Sequence, residues 1–290
     1  MTSANIEGLT IAYDLLGDGG RPWVITPGGR FSKDDPGIHE LAEALVERGN
    51  RVLVWDRPNC GASEVCFTGS SESQMQADVL AGLIRQLDLG PTVIAGGSGG
   101  SRVSMLTAVN HPDVTAGLAV WWISGGVYGL LQLGAYYCAP SIQAAWNGGM
   151  EAVAALPLWA ESIARNPDNR RKLLDQDVPA FIEAMERWML AYVPDPDQVV
   201  PGLTAAEAGA FDVPTFVLRS GSADLNHPEA TSLRVAEALP NSRLVEPPWG
   251  EREWRERQIE RSAGTTGGLF VRWPLLAPLL QDWADAALTP

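Results

Sequence analysis

"TVIAGGSGGSRVSML", residues Thr92 to Leu106, runs from a short apolar stretch through four glycines around one serine and back into an apolar periodic stretch. The first part predicts a buried strand and the last a helix, so the glycines mark a strand-to-helix turn. Gly96-Gly97-Ser98-Gly99-Gly100 matches G-x-S-x-G in that context, whereas Ser101 is out of register because its second neighbours are Gly99 and Val103. A serine on such a turn sits in a strained backbone with its hydroxyl above the sheet edge. The helix N-terminus beneath it favours developing negative charge, and the Gly99 amide can donate to an oxyanion. A glycine-rich phosphate loop is the competing reading, but neither G-x-G-x-x-G nor GK[ST] fits here.

Outward from this turn, apolar strands alternate with amphipathic helices. "WVIT" (23–26), "RVLVW" (51–55), "GLAVWWI" (117–123), "TFVLR" (215–219) and "RLVE" (243–246) read as strands. "IHELAEALVERG", "ADVLAGLIRQLDLG", "EATSLRVAEALP" and "LLAPLLQDWADAAL" read as helices, and the opening "IEGLTIAYDLLGDGG" as an edge hairpin. Continuous apolar strands between helices predict an α/β fold: a mostly parallel central sheet covered by helices on both faces. The pattern breaks over residues 126–210, which read as helices only. The expected organisation is therefore core over 1–125, a helical cap over 126–210, and core again over 211–290.

Composition excludes several functions. The formal net charge of −14 argues against nucleic acid, whose binders carry a basic stripe, and disfavours an anionic membrane surface. Residues 114–150 lack Asp, Glu, Lys and Arg, but glycines and Pro140 interrupt them, so no span of ~20 apolar residues is expected to cross a membrane. Cys60, Cys66 and Cys138 form no CxxC pair, so neither a disulfide framework nor a cysteine metal site is expected. With no basic and apolar leader at the start, a reducing, cytoplasmic setting is the simpler reading. The sequence leaves the oligomeric state open.

The motifs now resemble the α/β-hydrolase fold family over nearly the whole chain. "TPGGRF" (26–31) sits where that family carries its oxyanion loop, with Thr26-Pro27 in place of His-Gly; Gly28 or Gly29 would supply the second amide of the hole beside Gly99. "DRPNCGASE" (56–64) resembles its D-x-P-G-x-G-x-S-D loop, with Asn59 replacing a glycine. "VPTFVLRSGSADLNHP" (213–228) resembles the strand and G-x-x-D-x-x-H-P loop that deliver the triad acid, which by this match is Asp224. The helical stretch falls where the family places its cap.

The triad base is the irregularity. The family carries its histidine just after the last strand, yet Glu251 follows Gly250 there. Three histidines are available. His39 and His111 read as helix-surface groups, His111 as a helix C-terminal cap. His227 lies three residues after Asp224, on a loop expected to rim the site. Glu251 could instead move protons if burial beside Asp224 raised its pKa, although Glu251/Arg255 and Glu253/Arg257 at i,i+4 also suit an ordinary charged helix. The base is left between His227 and Glu251, with a slight preference for Glu251.

An uncharged, aromatic-rich first half of the cap fits a small-to-medium apolar or aromatic substrate, with Trp122 among the expected lining residues. Arg30 and Arg102 could hold a carboxylate or sit in surface ion pairs. The leading reading is a cofactor-free, metal-free serine hydrolase of an ester, a lactone or a C–C bond beside a carbonyl. The alternatives are a lyase, isomerase or cyclase working through the Asp224 and Glu251 carboxylates, or a silent ligand-binding protein.

Overall fold

The computed structural model describes residues 2–265 and 267–288. Ten strands are present among them: β1 (Thr2–Ile6), β2 (Leu9–Leu16), β3 (Pro22–Thr26), β4 (Arg51–Trp55), β5 (Thr92–Gly97), β6 (Thr115–Trp121), β7 (Gln198–Val200), β8 (Leu203–Thr204), β9 (Thr215–Leu218) and β10 (Ser242–Val245). The helices are α1 (Ile38–Val46), α2 (Glu72–Gln86), α3 (Gly99–Asn110), α4 (Gly126–Tyr137), α5 (Ala139–Ala154), α6 (Pro157–Arg165), α7 (Asp168–Leu174), α8 (Val178–Leu190), α9 (Ala205–Ala210), α10 (Glu229–Ala238), α11 (Glu253–Ser262) and α12 (Ala277–Ala287).

Eight strands form one sheet in the order β1-β2-β4-β3-β5-β6-β9-β10. The β1–β2 hairpin joins it antiparallel, and β4, β3, β5, β6, β9 and β10 run parallel. The chain steps from β3 outward to β4, then returns across β3 to β5. At such a reversal the loops leaving the two central strands part to opposite faces and open a crevice at their carboxyl ends. The loop after β3 and the serine turn after β5 therefore meet there.

Both faces of the sheet are covered, which is why its strands carry apolar residues without alternation. One core gathers Val24, Leu53, Ile94 and Leu118 with α2, α3 and helices α4 to α8; the other gathers Trp23, Ile25, Val93 and Trp121 with α1 and α12. Each fully buried large side chain contributes roughly 1.5–3 kcal/mol. Among the described residues no helix is long and apolar enough to cross a membrane.

Two local expectations are corrected. The strand expected to run through Ile123 ends at Trp121, because Trp122 takes a positive φ of 48° that no strand accommodates. Residues 126–210 are not helical throughout: after α4 to α8, the prolines at 194, 196 and 201 lead into a β7–β8 hairpin before α9.

Candidate active site

Ser98 closes β5 and caps α3 with φ 56° and ψ −126°, a conformation disfavoured for any residue with a Cβ. Strain of this kind costs about 1–3 kcal/mol and persists only where the surroundings over-determine it. Here they do so by close approach. A Cβ on Gly100 would lie 2.7 Å from the Pro27 carbonyl oxygen, so the chain leaving β3 can pass under the turn only because that residue is glycine. From the other side, Gly28 comes so near that a Cβ on it would lie 2.5 Å from Ser98 Cβ and 2.9 Å from the Gly99 nitrogen.

Asp224 and His227 sit in the tight loop between β9 and α10. One Asp224 oxygen, Oδ1, accepts from the backbone amides of Asn226 and His227, both at 2.9 Å, and this turn aims the carboxylate along the chain. Its other oxygen lies 2.9 Å from His227 Nδ1, and His227 Nε2 lies 2.9 Å from Ser98 Oγ. The three side chains are buried. Hydroxyl, imidazole and carboxylate thus stand in one line of hydrogen bonds, an arrangement through which a hydroxyl can pass its proton to the imidazole as it attacks. The imidazole is held on its faces as well: Trp122 stacks against it at 6.0 Å and 15°, and Trp254 meets it edge-on at 4.5 Å.

Glu251 is elsewhere. Its carboxylate binds the Arg219 guanidinium at 2.5 Å and accepts the Ser222 amide at 2.7 Å. The hydrogen bonds from Arg219 pull its pKa down to about 2, the reverse of the upward shift a proton-holding role needs. The expected i,i+4 partnership with Arg255 is replaced by Arg219, because residue 251 precedes α11; Glu253 and Arg257 do pair, at 2.9 Å. His39 faces Asp14 and Asp34, whose carboxylates share the Lys33 ammonium at 2.5 and 2.6 Å. His111 pairs with Asp78 at 2.8 Å on the surface.

A cavity of about 670 Å³ opens above Ser98 and His227 between the sheet and the helices of residues 126–165. Gly28, Gly29 and Arg30 form part of its wall. Gly29 N lies 3.4 Å from where a Gly99 side chain would begin, and among the described residues no acceptor meets the Gly29 amide. The Gly99 amide opens α3 and belongs to those a helix cannot satisfy itself.

The aromatic lining differs from expectation. It consists of Phe31, Tyr128, Tyr136, Tyr137, Trp254 and Phe270. Trp159 and Trp188 are buried against Phe67, and Trp146 on α5 is exposed. Trp122 lies under His227, outside the cavity wall. Arg30 does reach the wall, but Glu72 is already paired with it, and the rings of Tyr137 and Trp159 lie 5.0 and 5.2 Å from its guanidinium. Arg102 is neither in the wall nor on the surface: it is buried, donating to Ser73 Oγ at 2.7 Å and Tyr192 OH at 2.8 Å. Asn59 takes φ 70° where the resembled loop has glycine; its side chain spans Cys66 N and O, both at 2.9 Å, and so holds the left-handed turn.

No protein-family model matches the chain. It is 38% identical over 124 residues to the mouse sn-1-specific diacylglycerol lipase ABHD11, a match covering 42% of this chain and 39% of that protein. It is 28% identical over 122 residues to a 2-hydroxy-6-oxononadienedioate/2-hydroxy-6-oxononatrienedioate hydrolase of Burkholderia vietnamiensis, covering 42% of each. The chain thus spans about two fifths of the length of these curated relatives. Solved structures match along almost the whole chain. A point mutant of the meta-cleavage product hydrolase CumD aligns with TM-score 0.61 at 18% identity over 99% of this chain and 98% of its own. A thermophilic esterase from Thermogutta terrifontis aligns with TM-score 0.60 at 21% identity over 99% of both. Est816, described as an N-acyl homoserine lactone degrading enzyme, aligns with TM-score 0.59 at 20% identity over 97% and 99%. Sheet order, serine turn and these alignments agree, and the chain is an α/β-hydrolase-fold protein.

Proposed function

We propose that the protein is a serine hydrolase in which Ser98 is the nucleophile, His227 the base and Asp224 its orienting acid. The observation that carries this reading is the Ser98 Oγ–His227 Nε2 contact of 2.9 Å, continued by His227 Nδ1–Asp224 Oδ2 at 2.9 Å. Ser98 Oγ attacks the substrate carbonyl while its proton passes to His227 Nε2. The carbonyl electron pair moves onto oxygen, where the amides of Gly99 and of Gly28 or Gly29 receive it. When the pair returns, the bond to the leaving group breaks and His227 gives that group its proton. Water then repeats the sequence on the acyl-enzyme and frees Ser98. These steps need no cofactor. Glu251 has no part in them, since its carboxylate is engaged by Arg219 and is no part of the cavity wall; the carboxylate-driven lyase or isomerase reading loses its support with it.

The cavity favours a medium-sized aromatic ester or lactone, or a ketone cleaved at a C–C bond, carrying neutral oxygen groups. Its volume lies in the range of drug-sized ligand sites. Aromatic rings are interleaved with Gln132, Gln258, Asn226 and Ser162. The wall's one deeply buried cation, Arg30, is compensated by Glu72, so a free carboxylate gains less there than at an unpaired arginine.

A fluorophosphonate probe tests the reading, because labelling needs an activated serine. The wild type should be labelled at Ser98, Ser98→Ala should not be labelled, and His227→Ala should be labelled at least about 100-fold more slowly. A wild type that resists the probe, or is labelled elsewhere, overturns it.

A further inference from the structure

The loop that carries the second oxyanion amide has no regular secondary structure, so something must fix its orientation. Arg57, the second residue beyond β4, does this from below. Its Nη2 donates to the carbonyl oxygens of Gly28 at 3.0 Å, Gly29 at 2.8 Å and Phe31 at 3.4 Å. Consecutive peptide groups turned with their carbonyls to one side present amides to another, and Gly28, Gly29 and Arg30 line the cavity above Ser98. The second terminal nitrogen, Nη1, lies 3.9 Å from where a Gly99 side chain would begin, directly behind the serine turn.

Arg57 is also buried, and its Nε has no hydrogen-bond partner. Among the described residues no carboxylate forms an ion pair with it. The acids around it are engaged elsewhere: Asp56 accepts the Lys33 and Ala62 amides at 2.6 and 2.8 Å, and Glu72 is bound by Arg30 and Asn59. The neighbouring Cys60 thiol is pushed up by burial and stays neutral. A buried cation without a counter-charge is costly unless its position serves something else.

We propose that Arg57 is the positioning residue of the oxyanion hole: it pins the Gly28–Phe31 loop by three carbonyls and leaves an unbalanced positive charge behind the Ser98–Gly99 turn. The anion that completes this charge is the tetrahedral adduct of the reaction. The inference rests on the reading of Ser98 as nucleophile. Fixed dipoles and charge act most strongly on charge that develops only in the transition state, so Arg57 affects turnover and leaves substrate affinity nearly unchanged.

Arg57→Met and Arg57→Lys test this with p-nitrophenyl acetate as substrate and phenylboronic acid as inhibitor. Boron accepts Ser98 Oγ and becomes a tetrahedral anion, whereas the ester in its ground state is neutral. Arg57→Met should lower kcat by about 10- to 100-fold, less than the roughly 100- to 1000-fold cost of losing one oxyanion donor outright. KM should stay within about two-fold, and the boronate inhibition constant should rise by the same factor as kcat falls. Arg57→Lys keeps the charge, but its shorter side chain holds the ammonium back from the carbonyls that Nη2 reaches, so it should lose less on both measures. Melting curves accompany each variant. Unchanged kcat and boronate affinity in folded variants, or a loss confined to melting temperature, overturns the inference. If Arg57→Met does not fold, the same pair of ratios for Arg57→Lys decides. A wild type that hydrolyses the ester and takes fluorophosphonate at Ser98, yet shows no coupling to Arg57, defeats this inference alone. A wild type inert to both reagents defeats the nucleophile reading and this one with it.

Discussion

At the scale of single residues, the contrast between His227 and Glu251 decides the chemistry proposed here. Both lie on loops at the carboxyl ends of strands, but only His227 meets a hydroxyl, while Glu251 meets a guanidinium. Glu251→Gln is therefore expected to keep turnover within about two-fold, because it disturbs a surface ion pair of small energetic weight. Its signature should appear in acid stability. The folded pKa of Glu251 is about 2 against an ordinary 4.5, so the carboxylate form is favoured by folding. That contribution is present above pH 4.5 and is lost as pH falls towards 2. Melting temperature measured over this window should drop more in the wild type than in Glu251→Gln, and parallel curves would contradict the Arg219 pairing.

At the scale of elements, the serine turn and the loop after β3 form one tightly packed unit. Gly28→Ala would place a Cβ 2.5 Å from Ser98 Cβ, which cannot be relieved without moving one backbone away from the other. Fluorophosphonate labelling should fall at least about ten-fold while far-UV circular dichroism stays unchanged, since the strain falls on a loop and not on the core. Helices α6 and α8 are held differently, by Trp159, Phe181 and Trp188 gathered on Phe67 from the loop before α2. Trp159→Ala should cost about 3–5 kcal/mol in chemical denaturation, the usual range for emptying a fully buried aromatic site. The sequence suggests packing for most of these rings and a pocket lining for some, because composition does not say which neighbour covers each ring.

At the scale of the whole molecule, the cavity joins groups from the loop after β3, the turn after β5, the loop after β9, α4 and α11. Of the eleven tryptophans, Trp254 alone is among its wall residues, and its indole donates to Asn226 at 3.0 Å. Filling the cavity with a neutral aromatic ester analogue should therefore change the intrinsic fluorescence through this one residue. The response should disappear in Trp254→Phe and persist in Trp146→Phe, at an exposed position on α5. An equal response in Trp254→Phe would place the ligand elsewhere.

The sequence by itself determined the alternation of strands and helices and the strained serine turn at the end of β5, because periodicity and turn chemistry are written within windows of a dozen residues; Asp224 was singled out only through the family resemblance. Asn59 stood out in the sequence only as a departure from glycine in the resembled loop; that it holds a left-handed turn is seen in the structure. The partner of the serine was not legible. Ser98 and His227 are 129 positions apart, on loops leaving strands that β6 separates, and their meeting depends on how far each loop reaches across the sheet edge. The resemblance directed attention to the loop after β10, where Glu251 stands, but Trp254 from the following helix packs against the imidazole from that side and Arg219 holds the glutamate away. Arg57 escaped for the same reason: three carbonyls from a loop 26 to 29 positions earlier converge on one nitrogen only after β3 and β4 are paired. Tertiary structure decided these contacts because each is set by the relative placement of separate elements, which no local pattern of residues encodes.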